Sequence, residues 1–324
     1  MKRILGVGNA LADILVKIQD DTIFSEYNLP KGSMQLIDYS SACGLRNALQ
    51  HLPVKLVSGG SAANTVCGIA RMGVPASFVG KVGNDGYGNN YIADLQLHGV
   101  HPQMIVTDDM SGFCTALISE DGERTMATYL GAASTLQVSD MVPEMLRNYD
   151  ILHLEGYLLQ NHDLIRHIMQ TAKKADMEIS LDFASYNVVE EHLEFLRELV
   201  SQYVDIVFAN EEEAKAYTGK SPQEALAVLA EQCKIAVVKV GKQGSWVQQG
   251  EQAMHADVFD AQRVDTTGAG DLYAAGFLAG YAQNKTISQC ALAGSYVSSM
   301  IVEVIGAKFS EQKWQEINAK LSSF

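Results

Sequence analysis

Two kinds of hydrophobic pattern alternate along the second half of the chain. Short runs that are almost wholly apolar ("DILHLEG", "MEISLDFA", "DIVFAN", "IAVVKVG") are separated by stretches with apolar residues at helical spacing ("HDLIRHIMQTAKKA", "EEHLEFLRELVSQ", "SPQEALAVLAEQ"). Strands apolar on both faces belong inside a parallel sheet covered by helices on each side. The first half repeats the scheme. "RILGVGNALADILVKI" predicts a strand, a Gly-rich corner and a second strand; "LVSGGSAANTVCGIARMG" predicts a strand end, a Gly-Gly turn and a helix to Gly73; "ASFVGKVGNDGYGNNYIADLQLHGV" predicts strand, turn and helix. "SGFCTALISEDGERTMATYLG" differs, with two β-rich runs around Asp121-Gly122, a dipeptide that favours a tight hairpin. Segments 13–40 and 105–130 carry no helical pattern and predict a small antiparallel sheet, a lid beside the main one. Without a Pro-, Ser- or Gly-rich linker or a repeat, the expectation is one α/β domain over residues 1–324. Its central sheet is mostly parallel, flanked by helices on both faces, with the small β-sheet lid attached.

Composition narrows the functional classes. The chain has 324 residues, 47% of them hydrophobic, enough for a large core. A net charge of −14 argues against nonspecific nucleic-acid binding and supplies no polybasic membrane patch. No apolar run approaches the ~18 residues of a membrane span. Gly6, Gly8, Asn9 and Asp13 interrupt the apolar N-terminus, which reads as a buried strand and not a leader. Five widely spaced cysteines without C-x-x-C read as reduced thiols of a cytoplasmic protein. The eight histidines show no metal spacing and read as structural.

Two motif fragments have simpler explanations. "GVGN" lacks the third glycine and the helix of a dinucleotide fingerprint. "TGKS" at 218–221 has Ala214 where a phosphate loop needs glycine; there Gly219 ends one helix, Ser221 caps the next, Pro222 takes the first turn and Glu224 completes a capping box. "VDTTGAGDLYAAGFLAGY" at 264–281 is different. Gly268, Ala269 and Gly270 let backbone N–H groups converge where the following helix points its positive end, forming an anion hole. Asp271 stands at that helix mouth, and helix capping alone would not require the small residues or Asp265 with its two threonines. A carboxylate beside an anion hole suits transfer of a phosphoryl group to a hydroxyl.

This stretch resembles the second signature of the ribokinase-like (PfkB) carbohydrate kinases. "GGSAANTVCGIARMG" with "FVGKVGNDGYG" resembles the first signature, "FANEEEA" the N-x-x-E element, and "VVKVGKQGSWV" the nucleotide-side strand-turn, all in the family's order. The resemblance implies a ribokinase-like fold and ATP with Mg²⁺. Asp271 would be the general base, the N–H groups of Ala269, Gly270 and Asp271 the anion hole, and Arg124 a lid arginine reaching the transferring phosphate. Lys239, Gly241, Gly244, Thr266, Gly268, Gly270 and Asn210 would line ATP. Asn210 and Glu213 would position Mg²⁺ through water, which suits an ion that keeps most of its waters. Asp13, Gly59, Gly60 and Asn64 would hold the acceptor, a carboxylate and an amide being able to read a ribose diol. A K⁺ site behind the anion hole, near Val304–Phe309, is also implied.

Within the family, "GVGNALADILV", "LPKGSMQLID", "GERTMATYLGAA", "LEGYLL" and "VIGAKF" follow the adenosine kinase branch. Tyr157 falls where that branch places an aromatic against the purine, and Met34 stands where animal adenosine kinases carry glutamine, with Gln35 one place later. The resemblance thus implies phosphorylation of a purine nucleoside at its 5′-hydroxyl, adenosine to AMP in purine salvage, by a monomer or homodimer. The alternatives are an inosine or guanosine kinase, a ribose- or fructose-type sugar kinase, and a non-catalytic nucleoside sensor on the same fold.

Overall fold

In the computed structural model, which describes residues 1–120 and 123–324, the apolar runs pair as their pattern predicts. The strands are β1 Ile4–Val7, β2 Leu11–Lys17, β3 Met34–Leu36, β4 Val54–Ser58, β5 Ala76–Gly83, β6 His101–Thr107, β7 Gly112–Ile118 and β8 Arg124–Tyr129. They continue as β9 Ile151–Glu155, β10 Glu178–Asp182, β11 Ile206–Asn210, β12 Ile235–Lys239, β13 Ser245–Gln249 and β14 Gln252–Ala256. The large sheet runs β14-β13-β12-β11-β10-β9-β1-β5-β6. Its pairs from β12 through to β6 are parallel, and β13 and β14 close one edge as antiparallel strands.

Helices cover both faces, as expected. Ser61–Arg71, Ala269–Ala282 and Ile287–Ile301 bury their apolar sides with Phe78, Phe208 and Phe277 in one core. His162–Lys174 and Leu193–Tyr203 pack on the other, around Leu152, Leu181 and Val207. Burial of this extent, at about 25 cal/mol per Å² of apolar surface, is what holds the layers together. Gly219 ends a helix in the left-handed region at φ 72°, and the Glu224 carboxylate accepts from Ser221 N at 3.2 Å, so the "TGKS" segment is a helix junction. No described helix is long and apolar enough to cross a membrane, and the five cysteines are free thiols.

The small sheet corrects the expectation in three respects. Its order is β3-β8-β7-β2-β4, so it recruits 54–58 and leaves 101–107 to the large sheet. It is mixed: β7 and β8 are antiparallel, but β2 pairs parallel with β7 and β3 with β8. Helices Thr22–Glu26 and Tyr39–Leu49 lie within or just beyond the first segment and pack Phe24, Ala42 and Leu45 beneath the sheet. A parallel β2–β7 pair needs a long crossover, here the whole β5–β6 excursion through the large sheet. The Asp121-Gly122 turn lies outside the described residues.

Candidate active site

Four successive parallel strands place polar residues together at their carboxyl ends: Glu155 on β9, Asp182 on β10, Asn210 on β11 and Lys239 on β12. Glu155 faces Asp182 across one pair, and Asn210 faces Lys239 across another. In an open α/β sheet ligands bind at this edge. The helix Ala269–Ala282 starts over it. Gly268 takes φ 74°, which a side chain would strain, and a Cβ there would overlap Ala307.

Asp271, in the first turn, is fixed from the neighbouring helix. Its carboxylate accepts from Ser61 Oγ at 2.7 Å and Asn64 Nδ2 at 2.9 Å. Burial raises its pKa to about 6, with Ser61 and Asn64 opposing the rise. Of the three N–H groups expected to form an anion hole, that of Ala269 donates to the Thr266 carbonyl at 3.1 Å, whereas those of Gly270 and Asp271, like that of Gly268 before them, have no protein acceptor among the described residues. The Lys239 ammonium lies beneath them, 3.1 Å from where a Cβ on Gly270 would stand, and donates to Asp182 Oδ2 at 2.8 Å.

Asp13, Gly59, Gly60 and Asn64 come together as expected. The Asp13 carboxylate packs so closely on Gly59 that a Cβ there would overlap it. No protein donor reaches that carboxylate among the described residues, and burial pushes its pKa to about 7 against the nearby Lys308 and Arg124. Asn64 Oδ1 is buried without a hydrogen-bond partner. The Asp13 carboxylate and the Asn64 amide oxygen thus both lack a protein donor, and a buried acceptor without one calls for an explanation such as a ligand hydroxyl.

Tyr157, in the 3₁₀ turn Gly156–Gln160, lines a cavity of about 560 Å³ with Asn9, Leu130, Ala133 and Leu136; Met34 does not line it and sits on the small sheet opposite Met126. Arg124 is not solvent-facing: it ion-pairs with Asp265, which also accepts from Gly306 N at 2.7 Å and Thr267 N at 3.0 Å. Thr266 is exposed on the loop before the helix, and Gly241 and Gly244 flank a short 3₁₀ turn after β12.

Asn210 and Glu213 form a capping box: Asn210 Oδ1 accepts from Glu213 N at 2.9 Å, and Glu213 accepts from Asn210 N and Nδ2, each at 2.7 Å. Burial raises Glu213 to about 7. The polar atoms of both side chains are engaged within this box, so a Mg²⁺ ion here would have to be held mainly by phosphates and water, as suits an ion that keeps most of its waters.

Sequence reasoning missed Glu155, Asp182 and Ser61. Glu155 accepts from Asn9 N, Asn9 Nδ2 and Ala62 N. Its signal was available, an acid directly closing a buried, mostly apolar strand. Asp182 closes the next strand in the same way, whereas Ser61 looked like part of a turn.

A buried carboxylate at a helix mouth, with backbone N–H groups free beside it and polar residues at the strand ends, suits phosphoryl transfer. Residues 32–314 match the model of the pfkB family carbohydrate kinases, and the chain belongs to that family. It is an ATP-dependent phosphotransferase of ribokinase-like fold. An adenosine kinase from Sinorhizobium meliloti is 32% identical, with 98% of this chain and 99% of that one covered and a TM-score of 0.89. A probable sugar kinase from Rhizobium etli is 30% identical, with 99% of each chain covered and the same TM-score of 0.89. An adenosine kinase of Dictyostelium discoideum is 28% identical over 329 residues, 94% of this chain and 96% of that protein.

Proposed function

We propose that the chain transfers the γ-phosphoryl group of ATP to the 5′-hydroxyl of a purine nucleoside, with adenosine as the favoured acceptor. The observation that carries this reading is the cavity along Tyr157, which begins at Asn9 beside the acceptor pocket. A pentose alone would leave it empty, whereas a purine on that pentose would fill it, and a base stacked on an aromatic ring gains about 1–3 kcal/mol. Adenosine kinases among the relatives support the same choice.

In this reading Asp13 and the unpartnered Asn64 Oδ1 accept the ribose hydroxyls and orient the sugar. Asp271, steadied by Ser61 and Asn64, takes the proton of the 5′-hydroxyl as it attacks. The N–H groups of Gly270 and Asp271, with the helix dipole behind them, stabilise charge on the transferring phosphoryl. Lys239 adds a compact positive charge beneath the same turn. Arg124 reaches the phosphate from the small sheet, which acts as a lid. Mg²⁺, positioned through water by Asn210 and Glu213, would neutralise the triphosphate. A K⁺ ion behind the turn, near Val304–Phe309, belongs to the same reading.

ADP release measured with adenosine, inosine, guanosine, ribose and fructose tests it. Adenosine is expected to give the highest kcat/KM. A sugar kinase is the second reading, favoured by the Rhizobium etli relative; turnover of ribose or fructose with no nucleoside activity would establish it and overturn the first.

A further inference from the structure

Glu155 is 1% exposed and touches neither Asp271 nor Asp13 by hydrogen bond, yet its carboxylate is fully engaged. Its Oε1 accepts from both Asn9 N at 2.8 Å and Asn9 Nδ2 at 2.9 Å, while Oε2 accepts from Ala62 N at 2.9 Å. Gly8 is bare at the point of closest approach, where a Cβ would overlap Oε2. The bare Gly8 therefore leaves room for this carboxylate beside its three donors.

The consequence lies in the Asn9 amide. An ionised carboxylate only accepts hydrogen bonds, so it draws the NH₂ end of the amide toward itself and turns the oxygen away. Asn9 lines the cavity along Tyr157, and its Oδ1 takes no protein donor among the described residues. We propose that Glu155 is a positioning residue that fixes Asn9 with Oδ1 toward the acceptor cavity, so that the site selects an acceptor presenting an N–H or O–H donor there. The inference rests on the nucleoside reading above. Such a donor has two sources in a purine nucleoside, the exocyclic amino group of the base or a ribose hydroxyl. A buried acceptor facing a ligand that lacks the donor is left unpaired, which is how polar sites discriminate strongly.

The test compares adenosine with three analogues, each lacking one donor: purine riboside, 2′-deoxyadenosine and 3′-deoxyadenosine. The wild-type chain is expected to disfavour at least one of them by about tenfold or more in kcat/KM. In Asn9→Ala that preference should fall to within about twofold, because the acceptor that read the donor is gone. Glu155→Leu, which removes the acceptor that holds Asn9 Nδ2 and keeps a side chain of similar volume, should shrink the same preference although the side chain at position 155 touches no ligand, and Asn9→Ala with Glu155→Leu should match Asn9→Ala alone. The identity of the affected analogue says whether the base or the ribose supplies the donor. A ratio of rates is the readout because general damage lowers adenosine and analogue together. Where Glu155→Leu fails to fold, Asn9→Ala alone decides. Two results overturn the proposal: no analogue's penalty changes in Asn9→Ala, or Glu155→Leu folds and keeps every preference. Turnover of a sugar and of no nucleoside by the wild type instead overturns the underlying reading, and is seen before any variant is made.

Discussion

Replacing Asp271 by Asn should make the protein more stable and nearly inactive, and the stability gain should depend on pH. The substitution keeps the shape. An Asn amide can accept from Asn64 Nδ2 through its oxygen and donate to Ser61 Oγ through its nitrogen, replacing contacts of 2.9 and 2.7 Å. What it removes is a charge that the folded protein dislikes, since burial raises this carboxyl from 3.8 to about 6. A shift of that size corresponds to about 3 kcal/mol at most. The carboxyl is partly open to the pocket, so screening by water reduces the expected gain to about 1–2 kcal/mol. A raised acid pKa means that wild-type stability from this group is full below the unfolded value and is lost as pH rises through the folded one. The Asn variant has nothing to lose, so its advantage should be larger at pH 8 than at pH 5, a Tm increase of about 2–4 °C. Turnover should drop by about 10²–10⁴-fold, because the amide cannot take the proton. For the wild type, kcat/KM should fall as pH drops below about 6, where the base is protonated. Thermal melts of both proteins at the two pH values, with initial rates of ADP release, check all of this. An equal Tm difference at pH 5 and pH 8, a destabilised variant at pH 8, or near-normal turnover would refute the reasoning.

Gly59→Ala puts a methyl group into the Asp13 carboxylate and should raise the acceptor KM by about tenfold or more while leaving ATP binding intact; separate titrations with acceptor and ATP decide, and equal losses would place the damage in the fold. Arg124→Gln leaves the buried Asp265 charge with two backbone N–H donors and no cation, so urea denaturation should show a loss of up to about 3 kcal/mol, partly restored by Asp265→Asn in the same chain. If the small sheet closes as a lid over the acceptor, hydrogen exchange in β2, β7 and β8 should slow together when acceptor binds, with β9 and β12 unchanged; protection confined to the pocket floor would rule out closure.

The large sheet was legible because its strands are local and uniform. β9 to β12 are each five residues long and buried almost throughout, and each of β9 to β11 is followed within the chain by an amphipathic helix. Parallel neighbours then follow from the right-handed crossover that such units adopt. The small sheet was less legible because its pairing is non-local. β2 finds β7 far away in sequence, Leu11 pairing with Gly112, and β4 carries exposed Val54 and Leu56 that suit an edge strand no better than a loop. Nothing in "TIFSE" announces a helix, since five residues show no period. Asp271 and its glycines were legible because a helix mouth is written in consecutive residues. The Ala269–Thr266 hydrogen bond was not, because it depends on how the turn closes.

The residues that escaped the sequence share a physical signature. Glu155 and Asp182 each end a buried strand, and each fixes other groups: Asn9 and Ala62 for Glu155, Lys239 and the Ala184 N–H for Asp182. Burial raises the pKa of Asp13, Glu155, Glu213 and Asp271 alike, so these four carboxyls bear a desolvation penalty when ionised. A fold selected for stability alone would replace them with apolar residues, which carry no such desolvation penalty. In the proposed reading that destabilisation has a use: Asp13 and Asp271 accept from the acceptor, and Glu155 points the Asn9 amide at it. Such positions cannot be ranked by hydrophobic pattern, which registers an acid at a strand end only as the place where the strand stops.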